Sequence, residues 1–202
     1  MQKRKAKRSA KVGPASRGGT GFVRIIGGQW RSRKVPFPDV SGLRPSTDRV
    51  RETLFNWLMH STCGANCLDL FCGSGVLGLE ALSRGAARLT ALDTNAQVVA
   101  RLKDNLALLQ CDRAQVLQAD ALQWLASQSE PKPFDLVFLD PPFRQSLLHQ
   151  SIRLLCDTRL LADGAKVYVE CERELNVQLP AHWKKLKEKQ AGQLSYRLYV
   201  VE

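Results

Sequence analysis

The chain has 202 residues, 44% hydrophobic and 24% charged, which suits one globular domain with a small appendage. No apolar stretch approaches the roughly 18 residues of a membrane-spanning helix, and the basic N-terminus lacks the apolar segment of a secretory signal, so a soluble cytoplasmic protein is expected. The formal net charge of +11 is unevenly spread: residues 1–20 carry seven basic side chains and no acid, residues 21–60 seven basic and three acidic, and residues 61–202 sixteen of each. A neutral body behind a basic front end points to a polyanionic partner.

Gly13, Pro14, Gly18, Gly19 and Gly21 punctuate a basic, weakly hydrophobic segment, so residues 1–21 are expected to be a disordered tail. Phe22 to Arg33 alternates around Gly27-Gly28, the signal of a two-residue β-hairpin turn. That turn would set Arg24 opposite Arg31 and Phe22 opposite Arg33, with Val23, Ile25, Trp30 and Ser32 on the other face. Like charges placed opposite repel, and a phosphate between them would remove the penalty. After the loop Ser41–Asp48, Val50, Leu54, Trp57 and Leu58 recur at helical spacing, which predicts a helix over 48–59.

From there strands and helices alternate. Strands are expected near 66–71, 88–93, 114–119, 134–139 and 164–170, and helices near 75–84, 95–109, 121–128 and 146–157. This rhythm implies an α/β fold, a doubly wound and mostly parallel sheet with right-handed crossovers. Residues 181–189 and 194–201, joined through Ala191-Gly192-Gln193, read as a terminal antiparallel pair. The division expected is a tail over 1–21, a basic hairpin and helix over 22–60 that meets the polyanionic partner, and a separate body over 61–202. Cys63, Cys67, Cys72, Cys111, Cys156 and Cys171 form no C-x-x-C pair and the three histidines are scattered, so free thiols and no metal are expected.

Two motifs carry the chemistry. Gly73-x-Gly75-x-x-Gly78 follows a strand and opens a helix, where glycines permit a tight turn and close approach of a ligand to the backbone. Asp93, ending the next strand, can accept both hydroxyls of a ribose. Asp69, just before the turn, would sit within reach of a cationic amine or loop amides. Asp120 could bond an adenine amino group or cap the helix after it. A nicotinamide enzyme would use the same loop and Asp93.

The second motif is Asp140-Pro141-Pro142-Phe143, directly after the apolar run Phe134–Leu139. Neither proline can donate to a strand ladder, so the strand must stop there, at the sheet edge where open α/β folds bind ligands. The Asp140 carboxylate and the Pro141 carbonyl could each take one hydrogen of a base's exocyclic amine, while Phe143 stacks on the ring. Together the motifs predict transfer of a methyl group from S-adenosyl-L-methionine to an amine.

The chain resembles the RsmD family of bacterial 16S ribosomal RNA guanine-N2 methyltransferases over roughly residues 22–202. The resemblance is carried by Arg24–Arg31, Leu43–Leu58, the glycine loop, Asp140–Phe143 and the closing Ala191–Tyr199. It implies a class I, Rossmann-like S-adenosylmethionine-dependent methyltransferase with an N-terminal hairpin extension, acting as a monomer on one guanine of 16S rRNA in the small ribosomal subunit or its assembly intermediates. It carries over Asp140 to Phe143 for the amine, and Gly73, Gly75 and Asp93 for the cofactor, beside the expected Asp69, Gly78 and Asp120. Arg24, Arg31, Arg33 and Arg49 are the expected RNA contacts. Glutamate is the commoner residue of the family at the position of Asp93. The alternatives are a DNA or protein-glutamine amino methyltransferase, or an assembly factor without catalysis.

Overall fold

The computed structural model describes residues 20–40, 43, 45–128, 132–143 and 146–202. The expected basic tail over 1–21 thus falls outside the described residues but for its last two. At the N-terminus, β1 (Thr20–Arg24) pairs antiparallel with β2 (Lys34–Pro38), and α1 (Asp48–Trp57) follows. The Thr47 side chain caps α1 by accepting the Val50 amide, and the helix stops at Trp57 with Leu58 as its cap, two residues short of the expected end.

Gly27-Gly28 is not a hairpin turn, which corrects the expected register. Arg24 pairs with Lys34 and Phe22 with Pro36, while Gly28–Trp30 forms a 3₁₀ turn within a longer connection. Of the face expected to hold Val23, Ile25, Trp30 and Ser32, the first three are buried and Ser32 is exposed. The cause is tertiary. The amides of Ile26 and Gly27 donate to the Glu80 carboxylate, and the Trp30 amide donates to Ser83 Oγ, which itself donates to the Gly27 carbonyl. Gly28 has φ +72, and a Cβ there would meet the Ser83 carbonyl oxygen at 1.9 Å, so only glycine allows this docking.

The body alternates strands with helices: β3 (Asn66–Asp69), α2 (Val76–Ser83), β4 (Arg88–Asp93), α3 (Ala96–Leu108), β5 (Ala114–Gln118), α4 (Ala121–Ala126), β6 (Phe134–Leu139), α5 (Leu147–Asp157) and β7 (Leu161–Glu172). Two further strands, β8 (Trp183–Ala191) and β9 (Leu194–Val201), complete a seven-stranded sheet in the order β5-β4-β3-β6-β7-β9-β8. The first five of these run parallel and the last two pair antiparallel. Central strands are covered on both faces, which is why Leu136 to Leu139 read as an unbroken apolar run and are wholly buried.

One apolar cluster joins β1, β2 and α1 to α2, α3 and one sheet face, through Val23, Val50, Leu77, Leu102, Phe138 and Tyr168. The other face packs on α4 and α5 through Leu68, Leu125, Val137, Ile152 and Val167. A buried ion pair binds the N-terminal segment to the body: Arg51 Nη1 lies 2.8 Å from Glu80 Oε1, both side chains fully buried, and also donates to the Arg24 carbonyl. Burial pushes the Glu80 carboxyl up from its ordinary range, against the Ile26 amide, Arg51 and Arg84.

Candidate active site

The chain leaves β3 toward β4 and later crosses back to β6 on the other side of β3. The carboxyl ends of β3 and β6 therefore flank the point where strand order reverses, the place where open sheets hold ligands. Asp69 ends β3 and Asp140 follows β6, so the two motifs separated by some 70 residues of sequence meet there.

On the β3 side the glycine positions have separate duties. Gly75 is left-handed (φ +74) at the start of α2, and a Cβ on it would come within 2.4 Å of Leu102. A Cβ on Gly78 would lie 2.6 Å from Leu89, so this residue lets α2 settle on β4. Both are fixed by protein packing. Gly73 (φ +50) is less confined: among the described residues a Cβ there would meet Leu43 at 3.3 Å and the Phe71 carbonyl at 3.9 Å, and Gly73 is the half-buried, outward-facing one of the three.

Asp93 braces this loop: its carboxylate accepts the Gly73 amide at 3.0 Å and the Asn95 amide at 2.8 Å. A carboxylate has about four acceptor sites, so it retains capacity for hydroxyl donors. Asp120 caps α4 by accepting the Gln123 amide at 2.9 Å, and it is exposed at the end of β5. Asp69 is only 2% exposed, and its Oδ2 has no hydrogen-bond partner among the described residues. Burial, and next the charge of Asp93, push its carboxyl up to about 7, while the Gly78 and Phe71 amides hold it down. A buried, under-bonded carboxyl at the opening of a helix suits a cationic amine, whose charge would offset the lost hydration.

On the β6 side Asp140 is half-buried, Pro141 buried, and Pro142 and Phe143 exposed, with Phe143 46% open to solvent. Burial raises the Asp140 carboxyl well above the usual range, and the charges of Glu170 and Asp69 add to it. Pro141 and Pro142 also line a cavity of about 210 Å³ with Ser146, His149, Glu170 and Glu172. A larger cavity of about 520 Å³ opens at the amino ends of the strands, beside Asn66, Arg88 and Asp112, away from every carboxylate of this site. Among the described residues no cluster of His, Cys, Asp or Glu has the form of a metal site, and no helix is long and apolar enough to cross a membrane.

The expected RNA contacts are not equivalent. Arg24 is ion-paired with Asp48 at 3.1 Å, and Arg33 reaches the Leu108 carbonyl at 3.4 Å. Arg31 and Arg49 are exposed. A charge count hid a further basic stretch: on the edge strand β8, Lys184, Lys185, Lys187 and Lys189 are all exposed, with Lys184 ion-paired to Glu202 and Lys185 to Glu188. Two buried acids also went unassigned. Glu170 directly follows the buried run Val167-Tyr168-Val169, and Glu80 lies in an apolar helix; an acid inside a buried run was the available signal.

The sheet order, with a glycine loop after its central strand and an acid closing each neighbouring strand, defines a class I S-adenosylmethionine-dependent methyltransferase fold. Solved structures agree. The Escherichia coli protein yhhF superposes with a TM-score of 0.83 at 50% identity, over 90% of this chain and 99% of that one. The Thermus thermophilus 16S rRNA N2 G1207 methyltransferase RsmC, solved with AdoMet and guanosine, superposes with a TM-score of 0.67 at 18% identity, a likeness of fold alone, over 96% of this chain and 53% of that one.

The family model described as "Conserved hypothetical protein 95" matches residues 23–200. Ribosomal RNA small subunit methyltransferase D of Escherichia coli is 53% identical over 90% of this chain and 91% of its own length, and that of Haemophilus influenzae 48% identical over 89% and 94%. The chain belongs to this family, the RsmD methyltransferases.

Proposed function

We propose that the protein transfers a methyl group from S-adenosyl-L-methionine to the exocyclic N2 of one guanine of 16S rRNA, guanine 966, the position known for this family. The observation that carries the chemistry is the meeting of Asp69 and Asp140 at adjacent strand ends, where one acid suits a cationic amine and the other a neutral one. The address comes from relatives named ribosomal RNA small subunit methyltransferase D, similar over nine-tenths of the chain.

The cofactor supplies an electrophilic methyl on a sulfonium. Asp69 holds its ammonium group, Asp93 its ribose hydroxyls and Asp120 its adenine amino group, with Gly73 passing closest and Gly75 and Gly78 shaping the turn. The orphaned Oδ2 of Asp69 and the outward-facing Gly73 support this fit. Asp140 and the Pro141 carbonyl each take one N–H of the guanine amine, which turns the nitrogen lone pair out of the ring plane. Since the sulfonium is already reactive, placement supplies much of the rate. Asp140 also stabilises charge developing on the nitrogen. Phe143, half-exposed beside it, stacks on the base, worth about 1–3 kcal/mol. A base within a duplex could not reach this position without extrusion, so an unpaired guanine is the target.

The N-terminal segment over residues 22–60 is the RNA-contacting part, through Arg24, Arg31, Arg33 and Arg49, ahead of the catalytic part over 61–202. The protein acts as a monomer, on the small subunit or its assembly intermediates in the cytoplasm. Mass spectrometry of small-subunit RNA from a strain lacking this gene tests the reading. N2-methylguanine should vanish from the target loop and return on complementation. An unchanged loop would overturn the substrate assignment.

A further inference from the structure

Glu170 is the buried acid that this reading leaves without a role. β6 and β7 pair in parallel through Leu139 and Val169, so Asp140 and Glu170 are the next residues in line on neighbouring strands. Residues in register on parallel strands project to the same side of the sheet. Glu170 is 6% exposed, and its Oε2 accepts a hydrogen bond from the Tyr168 hydroxyl at 2.6 Å and one from Ser46 at 3.5 Å. Tyr196 pairs with Glu170 from β9, His149 and Glu172 line the same cavity, and Asp69 acts on Asp140 from the end of β3.

We propose that Glu170 is a positioning residue for Asp140: the two carboxyl groups hold one proton between them, with Tyr168 and Ser46 seating the negative charge on Glu170 and leaving the proton on Asp140. The inference rests on the reading that Asp140 meets the target amine. Its electrostatic support is consistent. Burial and then Glu170 raise Asp140, whereas burial raises Glu170 against the opposing hydrogen bonds of Tyr168 and Ser46. Such a pair loses its protons in two steps that belong to both groups.

The consequence is a pH threshold and a stronger base. During transfer the N2 lone pair forms the new C–N bond, the electron pair of the broken C–S bond goes to sulfur, and the nitrogen's surplus proton passes to ionised Asp140. The neighbouring negative charge on Glu170 raises the affinity of Asp140 for that proton. It also raises the pH needed to ionise Asp140 beforehand, so it sets the acid limb of the activity.

The test is a carbon-13 NMR titration of side-chain carboxyls in the free protein, without RNA or cofactor, compared with Glu170→Gln. The Asp140 midpoint should fall by about one unit or more once the like charge is gone. The acid limb of single-turnover methyl transfer should move in the same direction. A folded Glu170→Gln protein with an unmoved Asp140 midpoint overturns the proposal. Should that variant not fold, Tyr168→Phe keeps the ring and removes the donor: the Glu170 midpoint should rise and that of Asp140 fall, and no movement of either overturns the proposal equally. The titration involves no substrate, so a wrong guanine assignment would leave this result standing.

Discussion

The loops after β3 and β6 lie side by side at the carboxyl ends of neighbouring strands and are built on opposite plans. On the cofactor side, after β3, β4 and β5, nearly every polar or special residue also has a structural duty. Gly75 and Gly78 make room for Leu102 and Leu89, Asp93 holds two amides, and Asp120 caps a helix. After β6, two prolines end the strand and leave a half-buried acid, Asp140, close in sequence to an exposed ring, Phe143. The cofactor side is thereby preformed by the fold, and the target side is stiff but open. A recurring small molecule can be met by a finished cradle. A base that belongs to a large RNA needs a face it can reach.

Substitutions on the two loops should separate this division of labour. The largest effect is expected from Asp140→Ala, which should lower methyl transfer by at least ~10²-fold while cofactor binding is largely kept. Near-normal turnover in single-turnover assays would remove Asp140 from the chemistry. Next comes Gly75→Ala, where a left-handed backbone and a contact of 2.4 Å with Leu102 act together. It should cost about 1–3 kcal/mol of stability, read as a lower melting temperature. An unchanged melting temperature would mean that this turn is not set by packing. The smallest effect is expected from Phe143→Ala, a loss of RNA affinity worth about 1–3 kcal/mol with an unaltered melting temperature. Unaltered affinity in a filter-binding assay would leave the ring without a stacking role.

The sheet was legible because alternation is a local signal. Each apolar run of β3 to β6 and each turn after it is contained within a few neighbouring residues, and the prolines end β6 without help. The connection after β1 was not legible. Gly27-Gly28 carries the usual hairpin signal, but the Gly27 amide donates to Glu80 and the Gly27 carbonyl accepts from Ser83, both more than 50 residues away. Nothing local distinguishes the two outcomes. β7 is longer than its apolar run, beginning at Leu161 and ending at Glu172, because β9 pairs with it as far as Glu172.

The candidate site was legible in kind and not in detail. Asp69, Asp93 and Asp140 were placed at strand ends by counting, and each strand does end there. Which glycines face outward depends on Leu89, Leu102 and Leu43, and no spacing rule contains them. Glu170 was hidden because its meaning arises only when β7 lies in register beside β6.

Cofactor binding as a function of pH tests the division between the two acids most directly. Burial and the charge of Asp93 push the Asp69 carboxyl up to about 7, so toward lower pH it takes up a proton that a cationic ligand must displace. Affinity for S-adenosyl-L-methionine measured by calorimetry should therefore rise severalfold from pH 6 to pH 7 in the wild-type protein, before the ligand's own α-amino group begins to lose its charge. Asp69→Asn should bind more weakly and lose this rise, and Asp140→Ala should keep the wild-type affinity at pH 7 and most of the rise. Should Asp140→Ala lose cofactor binding as severely as Asp69→Asn, the two acids do not hold separate ligands and the account of the site fails.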